Sequence, residues 1–208
     1  MWLIILVTFL LQASGYINTY RFDKLYSSQF RIFGGKVALT RELGKNDKLK
    51  SLLPDSVETY ELPCIMFDAG RDLNRLQAEM SLHDIIIITS PQSASIFIEQ
   101  WQAKGCPVIQ VATVGKGTSK PLLDVGINVI FEPSDSTAVV LAQELPISYG
   151  SSVLYPTSNL ADNKLQDGLE SRDFQVTRLE TYATVPSIWS DEDLNIAKNN
   201  IDIVALGR

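Results

Sequence analysis

Two cysteines and one histidine in 208 residues leave little material for metal or redox chemistry. Cys64 and Cys106 have no C-x-x-C spacing, which argues against a disulfide scaffold or a cysteine zinc site. They are expected to be two reduced, partly buried thiols, since free cysteine packs as a small hydrophobe. His83 alone cannot build a histidine-rich metal site, and it sits just before an apolar run, where a structural role is expected. Positive charge is also short. The net charge of −6 argues against a general nucleic-acid surface. Long apolar runs are nearly absent too. "WLIILVTFLL" (2–11) has the length of a signal-peptide core and is too short to span a bilayer. No basic residue precedes it, whereas Arg21, Lys24 and Arg31 against the single acid Asp23 give residues 16–35 the character of an organelle transit segment. Residues 1–35 are therefore read as a targeting or non-native segment and set aside.

What is present is a globular balance, 45% hydrophobic and 20% charged, with alternating patterns from Lys36 onward. "KVALT" (36–40), "VETYELPCIMF" (57–67), "DIIIITS" (84–90), "PVIQVATV" (107–114), "NVIFEP" (128–133), "SSVLYP" (151–156), "FQVTRLETYATV" (174–185) and "IDIVAL" (201–206) are expected as strands. Nothing alternates in the four isoleucines, so that strand is buried on both faces. Helices are expected at 48–53, at 72–80, after Pro91, at 136–145, at 160–172 and at 191–198, with "GKGTSKPLLDVG" (115–126) a turn and a short helix. Ala94, Phe97, Ile98 and Trp101 follow the i, i+3, i+4, i+7 spacing of one buried stripe. Strands alternating with helices at this spacing predict an α/β fold with parallel sheets covered on both faces.

In such a sheet, ligands bind beyond the carboxyl ends of the strands. The residues there are Thr89-Ser90-Pro91-Gln92, Gly115-Lys116-Gly117-Thr118-Ser119, Pro133-Ser134-Asp135-Ser136-Thr137 and Pro156-Thr157-Ser158-Asn159. All are small, hydroxylated and rich in glycine or proline, and each is expected to open a helix. Ser90 suits an N-cap and Pro91 a first helical residue. Helix N-termini offer backbone N–H groups and a positive dipole end, so the four loops together point to an anion-binding rim. "GKGTSK" lacks both the third glycine of a dinucleotide turn and the frame of a P-loop. Ser90 has no G-x-S-x-G frame, and neither H-E-x-x-H nor a paired-carboxylate pattern occurs.

These pieces, in order, resemble the uroporphyrinogen-III synthase family in its plant and algal form. "VALTRELGKNDKL" resembles its opening strand and Thr-Arg turn, and "ELP" the end of its next strand. "IIIITSPQSASIFIEQW" is similar to its strand, Ser-Pro turn and helix, and "VATVGKGTS" to its V-G-x-x-T turn. "VLYPTSNLADNKLQDGLESRDFQVTRLETYATVP" is similar to its strand–helix–strand return. The resemblance runs over about residues 36–205, and it is the order and spacing of the motifs that is specific.

It implies two parallel-sheet α/β domains joined by a two-strand linker, the first discontinuous. Domain 1 would comprise 36–62 and 186–208, the linker 63–68 and 180–185, and domain 2 residues 69–179. It implies an enzyme that cyclises hydroxymethylbilane, a linear tetrapyrrole with eight carboxylates. The reaction removes the terminal hydroxyl and inverts the last pyrrole. No metal or organic cofactor would be required. Tyr182 matches the family tyrosine suspected of donating the proton, with packing at the hinge as the alternative role. Substrate-binding residues are expected at Thr40, Arg41, Ser90, Gly117, Thr118, Thr157 and Ser158, with Ser90 and Thr118 hydrogen-bonding rather than attacking. Between 36 and 50, five basic residues face two acidic ones, a local positive excess suited to an anionic ligand. A monomer without nucleic-acid or stable membrane association is expected, in the plastid, with secretion the alternative from residues 2–11. Where the family continues into a second Ser-Pro turn, this sequence ends "ALGR". The chain is thus expected to lack about fifty to sixty residues of domain 1, on typical domain sizes. That leaves open a two-lobed binding protein for an anionic small molecule, or an inactive truncated relative.

Overall fold

The computed structural model describes residues 18–21, as backbone, and 35–206. The apolar segment 2–11 lies outside the described residues. In chain order the elements are β1 (Asn18–Arg21), β2 (Gly35–Leu39), α1 (Asp47–Lys50), β3 (Val57–Glu61), β4 (Ile65–Ala69), α2 (Leu76–Glu79), β5 (Ile85–Ile88), α3 (Pro91–Ala103), β6 (Val111–Thr113), α4 (Lys116–Asp124), β7 (Val129–Phe131), α5 (Ala138–Glu144), β8 (Ser152–Ser158), α6 (Lys164–Glu170), β9 (Gln175–Pro186), α7 (Asp191–Asn199) and β10 (Ile203–Leu206). The described chain divides into two compact units. One holds the residues up to Met66 and from Val185, and the other is Phe67–Thr184.

The first unit carries a four-stranded sheet in the order β1-β10-β2-β3, with all three pairs parallel. Its two faces bury separate clusters. Val37 and Leu39 lie with Val57 and Ala205, while Ala38 lies with Leu62, Ala197 and Val204. This alternation along β2 is the period of two that a strand covered on both faces requires. Asn18–Arg21, part of the segment set aside on sequence grounds, pairs with Ile203–Leu206 and gives β10 a neighbour on its second edge. Helix α7 begins in a full capping box, Ser190 and Asp193 each bonding the other's backbone N–H.

In the second unit the sheet order is β4-β9-β8-β5-β6-β7, and β9·β8, β8·β5, β5·β6 and β6·β7 are parallel. The isoleucines of β5 are all buried. Ile86 and Ile88 pack with Ala94, Phe97 and Trp101 of α3, while Ile85 and Ile87 pack with Leu141 of α5 and Leu165 of α6. A strand sandwiched between two helix layers needs an apolar side chain at every position, which is why the run does not alternate.

Several elements are shorter than the pattern implied. β6 covers 111–113 rather than 107–114. Helix α3 ends in a turn through Gly105 and Cys106, whose φ is +57°, so Pro107 follows a helix stop and not a strand start. Cys106 is exposed in that turn, not partly buried, while Cys64 is half-buried, and burial pushes its thiol pKa up. The glycines of "GKGTS" do not form a turn, because α4 begins at Lys116 itself. α6 runs over 164–170, not 160–172, because β8 continues to Ser158 and an irregular segment comes after it. His83 Nδ1 donates to the Glu79 carbonyl, 2.9 Å away, a local structural bond.

Ile86→Ala, in the fully covered strand, is expected to lower the unfolding free energy by about 2–5 kcal/mol. Ile188→Ala, at a side chain 91% exposed, should change it by less than about 0.5 kcal/mol. Urea denaturation of both variants measures the contrast.

Candidate functional site

The order of the second unit's sheet is set by where the chain goes after β5. It proceeds through β6 to β7 on one side, then returns to β8 and β9 on the other. The junction of β5 and β8 is therefore the point where strand order reverses, and a crevice opens at the carboxyl ends of two such strands. The paired stretch there is short. β5 and β8 are in register at Ile85–Val153 and Ile86–Leu154, yet β8 runs on to Ser158. Pro156 has no N–H to donate to a ladder. Its carbonyl takes the hydroxyl of Ser93 instead, at 2.8 Å, from the first turns of α3. Ser93 is 1% exposed, so this bond holds α3 to β8 beyond the paired stretch.

Ser90 and Tyr182 meet over that crevice. Ser90 is the N-cap of α3, its Oγ accepting the N–H of Ser93 at 3.0 Å, and Pro91 is the first helical residue. The same Oγ lies 3.0 Å from the Tyr182 phenolic oxygen, and either hydroxyl can be the donor. Tyr182 reaches Ser90 across the end of β8, because β9 is β8's other neighbour. Tyr182 is 7% exposed, and its ring is met edge-on by Phe67, with centroids 5.6 Å apart.

A bulge aims that ring. Thr157 pairs with Glu180, but Ser158 pairs with Tyr182, so Thr181 is an extra residue in β9. An inserted residue breaks the alternation of faces and re-aims the side chains beyond it. Accordingly Thr181 and Tyr182, adjacent in sequence, are both buried, and the Thr181 hydroxyl donates to the Thr157 carbonyl at 3.4 Å. Gly70 lies against the bulge, its N–H bonded to the Thr181 carbonyl at 3.1 Å. Asp72 bonds both backbone groups of Glu180. Its N–H donates to the carbonyl at 3.0 Å, and its Oδ2 accepts the N–H at 3.1 Å. That backbone N–H, with help from Arg75 and Arg71, holds the Asp72 carboxyl below its ordinary pKa.

The remaining residues expected from sequence are spread over both units. Thr157 ends the buried part of β8, 3% exposed, and Ser158 turns its hydroxyl back to accept the Leu160 N–H at 3.2 Å. The fourth loop thus closes on itself and does not open a helix directly. Gly117 and Thr118 lie in the first turn of α4, Gly117 exposed and Thr118 4% exposed. That helix has Gly115 as N-cap, so no side chain caps it. A Cβ on Gly115 would stand 2.4 Å from the Ser136 Oγ, so the loops after β6 and β7 touch there. Thr40 and Arg41 belong to the first unit, at the carboxyl end of β2. The Thr40 hydroxyl is occupied, donating to the Ala205 carbonyl at 2.8 Å, whereas the Arg41 side chain is 38% exposed beside Glu42. Sequence reasoning missed Phe67, Gly70, Asp72 and Thr181. "DAGRD" offered a glycine between acids, but only the proximity of β9 gives it meaning. Among the described residues, no group of three or more His, Cys, Asp or Glu side chains could hold a metal ion.

A family model described as uroporphyrinogen-III synthase HemD matches residues 49–206. This chain belongs to the uroporphyrinogen-III synthase family. The chloroplastic uroporphyrinogen-III synthase of Oryza sativa subsp. japonica is 42% identical over 160 residues, which cover 72% of this chain and 53% of the rice protein. The chain therefore spans about half the length of that curated relative. In fold it is similar to a mutant uroporphyrinogen III synthase from the extremely thermophilic bacterium Thermus thermophilus, with a TM-score of 0.57 at 17% identity over 74% of this chain and 64% of that one. It is also similar to the uroporphyrinogen-III synthetase of Helicobacter pylori, with a TM-score of 0.50 at 16% identity over 79% and 68%. These likenesses establish the two-domain α/β fold class for the chain.

The bonds around the crevice generate two expected outcomes. Ser93→Ala leaves the Pro156 carbonyl without its partner and should cost about 1–3 kcal/mol in urea denaturation. The Asp72 carboxyl is depressed in the fold, so its stabilisation is complete above about pH 4 and lost as pH falls through the folded value. Asp72→Asn should flatten the acid limb of a stability–pH profile below about pH 4 and leave its slope at neutral pH unchanged.

Proposed function

We propose that this chain acts as a uroporphyrinogen-III synthase. It would close hydroxymethylbilane into uroporphyrinogen III with inversion of the last pyrrole ring, in tetrapyrrole biosynthesis. The observation that carries this reading is the Ser90–Tyr182 hydroxyl pair at the strand-order reversal of a chain in this family. Breaking the carbon–oxygen bond of the terminal hydroxymethyl group produces hydroxide unless a proton arrives with it. Tyr182 supplies that proton and water leaves. Ser90 Oγ, already accepting from Ser93 N–H, keeps its own proton free to bond the phenolate oxygen as charge develops. The uncapped start of α4 at Gly115 provides backbone donors suited to the substrate's carboxylates, with Gly117 and Thr118 beside it. Thr157 and Ser158 are the further contacts proposed for the substrate. The chloroplastic rice relative supports a plastid location. Among the described residues no helix is long and apolar enough to cross a membrane.

The test is to give the full chain enzymatically generated hydroxymethylbilane and resolve the product isomers. Type III product is expected, and the spontaneous type I isomer alone would contradict the proposal, leaving a binding role or an inactive relative. Tyr182→Phe should slow type III formation by about a hundredfold, the lower end for a general acid. An unchanged rate removes Tyr182 from the chemistry.

A further inference from the structure

Residues 67–72 wrap the bulge in β9 with contacts that no core-packing requirement explains. Phe67 meets the Tyr182 ring edge-on. Three residues on, a Cβ at Gly70 would lie 2.1 Å from the Glu180 carbonyl oxygen, 2.5 Å from the Tyr182 nitrogen and 2.6 Å from the Thr181 carbonyl carbon. All three are backbone atoms of the bulge, so no side chain fits there without moving it. Two residues further, Asp72 bonds both the N–H and the C=O of Glu180, the residue just before the inserted Thr181. The Asp72 carboxylate is itself fixed by Arg75 Nη1 at 3.3 Å and Arg71 Nε at 3.6 Å. Arg71 also reaches Glu180 Oε1 at 2.9 Å.

We infer that Gly70 and Asp72 are positioning residues for Tyr182: they clamp the bulged backbone of Glu180–Tyr182 so that the phenol is delivered to Ser90. An extra residue in a strand leaves the ladder locally disrupted, and something outside that ladder must fix where the chain goes next. Gly70 does so by close approach, the absence of a side chain letting its N–H reach the Thr181 carbonyl. Asp72 does so by a two-point backbone bond that fixes Glu180 before the bulge begins. A hydroxyl that must meet a reacting atom at hydrogen-bond distance is sensitive to displacements of this kind. The inference rests on the proton-donor reading of Tyr182 for its catalytic consequence, though not for the geometry.

The experiment uses the full chain labelled at the tyrosine ζ carbon with carbon-13, the Tyr182 resonance being assigned by its loss in Tyr182→Phe. Asp72→Ala is expected to displace that resonance. Asp72→Asn, which keeps a side-chain oxygen to accept the Glu180 N–H, is expected to restore it. Gly70→Ala should displace it further or prevent folding, which is why the Asp72 pair carries the decision. In turnover, Asp72→Ala should lower kcat on the order of tenfold with KM little changed, since misplacement acts on the reacting group. An unmoved Tyr182 resonance in Asp72→Ala, or a failure of Asp72→Asn to restore it, overturns the inference. Should Tyr182→Phe retain full turnover while Asp72→Ala still moves the resonance, the proton-donor reading fails and the clamp stands.

Discussion

A strand that must be apolar at every position constrains the whole second unit. Ile85–Ile88 are buried on both faces, so β5 must lie inside the sheet with helices above and below it. Here its neighbours come from a chain that builds outward in one direction, then returns and builds in the other. β6 and β7 take one side, and β8 and β9 the other. The strand order reverses next to β5, and in a sheet of this kind such a reversal is where a ligand crevice forms. Ser90 stands at the crevice because it is the residue where β5 gives way to α3. Its capping bond to Ser93 is the local reason for a serine, and its second partner, Tyr182, is the non-local one.

The hydroxyl pair also depends on two departures from regular structure. Pro156 has no N–H for a ladder, and beyond the paired stretch of β5 and β8 its carbonyl takes the Ser93 hydroxyl. The extra Thr181 in β9 turns Tyr182 toward the opening. Each irregularity is held by a specific bond and not by the sheet. A regular sheet in these places would close the crevice and point the phenol to the opposite face. The irregular backbone is therefore where the fold and the proposed chemistry meet.

Much of this is legible in sequence. The non-alternating isoleucines mark the central strand, the Ser-Pro step marks the N-cap and first helical residue, and the alternation of patterns implies parallel sheets. Ser90 and Tyr182 both stand out, Ser90 from the position of its loop and Tyr182 by family resemblance. Their direct bond does not, because it joins residues ninety-two apart and requires knowing which strands are neighbours. The bulge is hidden for a similar reason. "RLETYATV" reads as a plain extended run, since an inserted residue leaves no mark in composition. Glycines mislead at "GKGTS", where two of them imply a turn and the chain instead starts a helix between them. The role of Gly70 is invisible without β9, because a close approach belongs to the partner as much as to the glycine.

Ser90 and Tyr182 act as one bonded pair in the folded chain. A double-mutant cycle on Ser90→Ala and Tyr182→Phe, read by urea denaturation, measures it directly. A bonded pair predicts a coupling of about 0.5–1.5 kcal/mol between the two substitutions. Strict additivity of the two single effects would mean that the two hydroxyls are not bonded.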